Sequence, residues 1–78
     1  METSTAEMER TAVTVGQLRP LLGSPATVRT TAGVLRGTLL SCVRRSLWLV
    51  DDDADADVVV PLDHVVWVES AGRHVPAA

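Results

Sequence analysis

The sequence predicts a mainly β fold in which one short N-terminal helix precedes five short antiparallel strands, bent strongly enough to form a small barrel. Three observations carry this. The apolar content is Val, Leu and Ala, with Trp48 and Trp67 the only aromatics in 78 residues, and Val in quantity favours strands. From Ala26 onward apolar and polar residues alternate in short runs, the period of half-buried strands. The connections between those runs are tight, as antiparallel neighbours allow.

The elements follow in order. Thr14 and Gln17 in "TVGQLRPLLGSP" have capping-box spacing. Leu18, Leu21 and Leu22 fall on one helical face, and Gly23 with Pro25 ends the segment. Pro20 limits the helix to about two turns. "TVRTTAG" reads as the first strand, turning at Ala32-Gly33, and "VLRGTLLSCV" as the second. Gly37 in its middle allows a sharp bend in a strand that serves both halves of the barrel. "SLWLV", "DVVVPL" and "HVVWVES" supply the third, fourth and fifth strands. The folded part is thus 13–70, with residues 1–12 and 71–78 read as flexible tails because they are small, polar or proline-bearing and lack periodicity.

Composition narrows the function classes. A single domain this small buries roughly 60% of its unfolded surface, so added support comes from disulfides, metals or association. Cys42 is alone, which excludes an internal disulfide and leaves association. "METSTAEMERTAV" lacks the apolar run of a signal peptide, and no apolar stretch approaches the roughly 20 residues of a membrane span. A cytoplasmic protein without membrane contact is therefore expected. The absence of Lys, Asn, Ile, Phe and Tyr points to a high-GC genome, such as an actinobacterium or one of its phages. A net charge of -3 argues against a general nucleic-acid coat but leaves room for a local basic patch.

A helix followed by five antiparallel strands, the second long and bent, limits the architecture to a small barrel of SH3-like type. Within that frame "AGVLRGTLLSC" with "LWLVDD" resembles the first signature of the Sm-like (LSm) family, and "VVVPLDHVVWVE" resembles the second. The resemblance runs from about Val13 to Glu69. It implies a homo-oligomer, a hexameric or heptameric ring, built by pairing the fourth strand of one subunit with the fifth of the next. Val58, Val59, Val60, Val65, Val66, Trp67 and Val68 would form that interface. Both faces of these two strands are apolar in sequence, more than a monomer with one wet face needs.

The resemblance also implies an RNA pocket between the loop after the second strand and the turn after the fourth. The match there is partial. "SCVRRS" has Ser46 where the family's base-reading Asn would stand and carries no aromatic, and Pro61-Leu62-Asp63-His64 replaces the family's Arg-Gly turn. Arg44, Arg45 and His64 remain as groups able to contact phosphate or stack on a base.

Other chemistry is poorly supported by the residues. Asp63 and His64 are neighbours, and adjacent strand residues point apart, so they make a poor catalytic pair with Ser41. No enzyme activity and no cofactor is expected. His74 has no second ligand at zinc spacing. Cys42, Trp48 and Trp67 read first as packing residues of a core or subunit interface. Asp51, Asp53, Asp55 and Asp57 imitate the start of a calcium loop, but Ala56 and Leu62 stand where an EF-hand needs Gly and Glu. The acidic run is therefore a solvated hairpin tip with no metal. Two functional readings of different class follow: a homo-oligomeric Sm-like protein that binds RNA or single-stranded nucleic acid weakly, or an interaction or structural module that keeps the barrel and binds a protein, such as a host protein.

Overall fold

The computed structural model describes residues 12–77, so most of the expected N-terminal tail, residues 1–11, lies outside the described residues. The capping box forms as read. Thr14 Oγ1 accepts from the Gln17 amide at 3.1 Å, and the Thr14 amide donates to Gln17 Oε1 at 2.9 Å. Helix α1 (Val15–Leu18) is one turn, extended by a 3-10 turn over Arg19–Leu21 that contains Pro20. Val13 before the cap and Leu18 in the helix are both buried in the core, the positions of a hydrophobic staple. Gly23, at φ 86°, turns the chain so that its amide reaches the Leu39 carbonyl at 2.6 Å. The helical segment is thereby tied to the sheet.

Six antiparallel strands follow: β1 (Pro25–Thr30), β2 (Gly33–Val43), β3 (Ser46–Asp51), β4 (Ala56–Pro61), β5 (Val65–Ser70) and β6 (Arg73–Pro76). Their order in the sheet is β4-β3-β2-β1-β5-β6. Strand β2 pairs with β1 through Thr38 and with β3 from Gly37 onward, so one bent strand belongs to both halves. The bend is permitted at Gly37 because the Val50 backbone crosses where a side chain would begin. A bulge at Leu40 then shifts the phase of β2, which puts Cys42 rather than Ser41 in the core.

Val13, Leu18 and Leu21 pack with residues of β1 to β5 in one aliphatic cluster that includes Val28, Leu39, Leu47, Leu49 and Val68. The sheet therefore wraps around a single core. Neither tryptophan belongs to it: Trp48 is 41% exposed and Trp67 half-buried. Of the buried polar side chains, Ser70 Oγ donates to the Pro25 carbonyl at 2.7 Å and Thr30 Oγ1 to the Gly33 carbonyl at 2.9 Å. Both ties fix the ends of β1.

Two expectations need correction. The strands number six rather than five, because residues 73–76, expected as tail, form β6 against β5. Ala71 and Gly72 both have left-handed backbone, φ 52° and 77°, the geometry of a two-residue hairpin turn that suits strand twist. The sheet is also open by hydrogen bonding, with β4 and β6 as its edges. Strand β6 fills the outer side of β5, and the Ala77 amide extends the pairing to the Val66 carbonyl at 2.9 Å.

Candidate functional site

The β2–β3 hairpin turns on Arg44 and Arg45, whose φ values are 53° and 64°. Consecutive left-handed residues match the twist of the flanking strands, and Asn-Gly is the pair that ordinarily fills such a turn. Each arginine carries a Cβ into a region that costs roughly 1–2 kcal/mol for an L-residue. Arg45 is held to the 3-10 turn Leu62–His64 in two ways. Its carbonyl accepts from the Leu62 amide at 2.8 Å, and its Nη2 lies 3.4 Å from Asp63 Oδ1. The two loops assigned to nucleic-acid contact thus adjoin, but Asp63 offsets one of the two arginine charges.

Arg44 lies elsewhere in character. It lines a groove of about 560 Å³ with Ser41, Val43, Ser46, Trp48 and Val59. Ser41, Trp48 and Val59 stand opposite one another across β2, β3 and β4, and directly opposed residues share a face. That face is solvent-exposed: Val43 is 53%, Val59 45% and Trp48 41% exposed, with the Leu40 bulge beside them at 45%. Such a contiguous apolar surface marks an interaction site more often than isolated exposed side chains do.

His64 is exposed and does not share the groove of Arg44. It lines a second one, of about 290 Å³, between β4 and the β1–β2 turn, with Val34, Val58, Val59 and Pro61. Val59 borders both grooves. A further groove, about 610 Å³, lies on the other half of the sheet and mixes Arg36, Arg73 and His74 with Asp52 and Glu69. His74 Nδ1 sits 2.8 Å from Glu69 Oε2, and its ring is 5.6 Å from that of Trp67. These contacts fasten β6 to β5 and offer no net charge of one sign to a ligand.

The residues expected at a subunit interface separate by strand alternation. Val60, Val65 and Val68 are buried in the chain's own core, Val58 and Trp67 are half-buried, and Val59 and Val66 are exposed. The β5 edge that the family resemblance gives to a neighbouring subunit is occupied by the chain's own β6. The β4 edge has no such cover: among the described residues its backbone makes no hydrogen bond beyond the β3 ladder. The acidic run is a hairpin turn between β3 and β4, where Asp51 Oδ1 accepts from the Asp53 amide at 2.9 Å. Among the described residues no group of His, Cys, Asp or Glu is placed to hold a metal ion, and no helix is long and apolar enough to cross a membrane.

The sequence names Arg44 for nucleic acid and Val59 for a subunit interface, but not Val43 or Trp48 as the residues that share a groove with them. The alternation was there to find it, since Leu47 and Leu49 both face the core and put Trp48 outside. The general tendency of tryptophan to be buried competes with that phase, and the phase prevails. No family model, no curated protein and no solved structure matches this chain.

Proposed function

We propose that the chain is a small interaction module, an Sm-like barrel in the arrangement of its helix and first five strands, which binds protein through the outer face of β2–β4 and the edge of β4. The observation that carries this reading is the outer row Ser41–Trp48–Val59, exposed at Trp48 and Val59 and ending at an unpaired strand edge. A free edge offers backbone donors and acceptors to an added strand, and pockets beside it supply side-chain specificity. The occupied β5 edge favours this reading over a ring built on strands four and five. Recovery from a cell extract provides the test: a protein partner should survive nuclease treatment and be lost with Trp48→Asp. A partner that disappears with nuclease, or that ignores Trp48→Asp, overturns it.

A second reading has its own support. The Arg44–Arg45 turn and the Leu62–His64 turn are joined by a backbone hydrogen bond, which brings together the two loops that the resemblance assigns to RNA. Weak binding of RNA or single-stranded nucleic acid through Arg44, Arg45 and His64 would then fall steeply with salt. Filter binding of U-rich and A-rich oligonucleotides at low and high salt decides it. Retention that is absent at low salt, or unchanged by Arg44→Ala with Arg45→Ala, removes this reading.

A further inference from the structure

We propose that the partner at the β4 edge is a second copy of this chain, joined β4 to β4 in antiparallel register about a two-fold axis at Val59. This rests on the protein-binding reading and names its occupant. The starting point is the contrast between the two sheet edges. Strand β6 is four residues long and reads Arg73-His74-Val75-Pro76, with the charge, proline and short length that blunt an edge. Strand β4 carries Asp57 and Pro61 only toward its ends and Val58, Val59 and Val60 between them. It is the edge left able to pair.

Charge selects the orientation. The start of β4 follows the acidic turn that exposes Asp52, Asp53 and Asp55, whereas its end, Pro61, pairs with Ser46 beside the Arg44–Arg45 turn. A parallel neighbour would set acidic turn against acidic turn. An antiparallel one sets each acidic turn alongside the arginine turn of the other copy, the complementarity that steers association and fixes register.

Strand alternation selects the register. Opposed residues in an antiparallel pair share a face, and Asp57, Val59 and Pro61 face out while Val60 is buried. Centring the pair on Val59 opposes Val59 to Val59, Val58 to Val60 and Asp57 to Pro61. All of 57–61 is then used. The outer row runs without a break from Ser41 and Trp48 through both copies of Val59 to Trp48 and Ser41 of the second copy. Centring on Val58 would instead oppose the Asp57 carboxylate to exposed Val59. Centring on Val60 would leave half of the strand, 56–58, unpaired. The isologous pair is closed, because the blunted β6 edges offer no route to a filament.

Light scattering across a concentration range tests the proposal directly. The expected mass rises toward twice the 8.3 kDa of one chain. Val59→Lys should weaken the dimer at least about tenfold, whereas Val66→Lys, at an equally exposed position on β5, should leave it unchanged. Circular dichroism confirms that each variant is folded. A short bismaleimide should link Val59→Cys into a covalent dimer and should not link Val66→Cys, since only the former meets its own copy at the axis.

A monomer at every concentration overturns the proposal, as does a dimer indifferent to Val59→Lys or a mass of many subunits. The broader reading is scored separately. A monomer whose partner from extract is lost with Val59→Lys leaves protein binding at β4 standing, and a monomer whose partner ignores that change removes both.

Discussion

Replacing Gly37 by Ala sets two physical terms of opposite sign against each other. Glycine in a strand interior costs backbone entropy, so propensity alone makes Gly37→Ala stabilising by roughly 0.5–1 kcal/mol. The structure says otherwise. A Cβ at this position would lie 1.7 Å from the Val50 carbonyl oxygen and 2.7 Å from its carbonyl carbon, against ordinary carbon–oxygen contact at about 3.3 Å. The obstacle is backbone, which cannot rotate away as a side chain would. β3 must retreat by more than an ångström or β2 must straighten.

Either response loosens the pairs Gly37–Asp51 and Thr38–Val50, at about 1 kcal/mol for each hydrogen bond lost, with overpacking strain of about 1–3 kcal/mol besides. Net of propensity, Gly37→Ala should destabilise by about 2–4 kcal/mol. A chain of this length has in total roughly 4–12 kcal/mol to lose. Urea denaturation followed by far-ultraviolet circular dichroism reads the difference as a lower midpoint at similar slope. A midpoint equal to or above that of the native chain would falsify the close β2–β3 crossing and with it the bend that joins the two halves of the sheet.

Three further outcomes are expected. Arg44→Asn with Arg45→Gly should stabilise by about 1–2 kcal/mol, because it relieves two left-handed L-residues and sacrifices only an exposed ion pair; a lower denaturation midpoint would contradict the turn geometry. Burial pushes the Cys42 thiol above its ordinary value, so a thiol reagent should modify the native chain far more slowly than the unfolded one. The sign follows from proton binding: the folded state holds this proton more tightly, so its stabilising contribution is complete below about pH 8.5 and fades as pH rises through the folded value; rapid native labelling at neutral pH would refute the burial. Ending the chain after Ser70 removes β6, exposes the β5 edge and more of Trp67, and should convert the protein to larger or heterogeneous assemblies by light scattering; an unchanged mass would show that β6 does not guard that edge.

Much of the fold was legible because local signals agreed with tertiary demands. The capping box at Thr14 and Gln17 and the early stop at Pro20 are set by backbone chemistry within a few residues, and the bend at Gly37 is marked by a glycine in mid-strand although the Val50 backbone is what requires it. The phase of β2 beyond Leu39 was not legible, because a bulge depends on the partner strand and Leu40 is an ordinary strand residue. Strand β6 was hidden by its brevity and by Pro76, although Ala71-Gly72 carried a turn signal. Its stability comes from contacts outside the segment, the ladder to β5 and the Glu69–His74 pair. The candidate site was half visible: the arginine turn could be named from sequence, but the exposed apolar row depends on three strands lying in register.

That row and the strained turn meet at one corner of the molecule, and their coincidence carries more weight than either alone. Stability by itself favours Asn-Gly in the β2–β3 turn and a polar residue in place of Trp48, since neither Arg44 nor Trp48 contributes to the core. The chain has these residues side by side, next to the unpaired edge of β4. At the opposite edge the same chain adds a strand, places charges along it and ends it with proline. A chain that guards one edge so fully gains nothing for its own fold by leaving the other open. The exposed valines and tryptophan beside β4 are therefore better explained by what binds there than by how the sheet holds its core together.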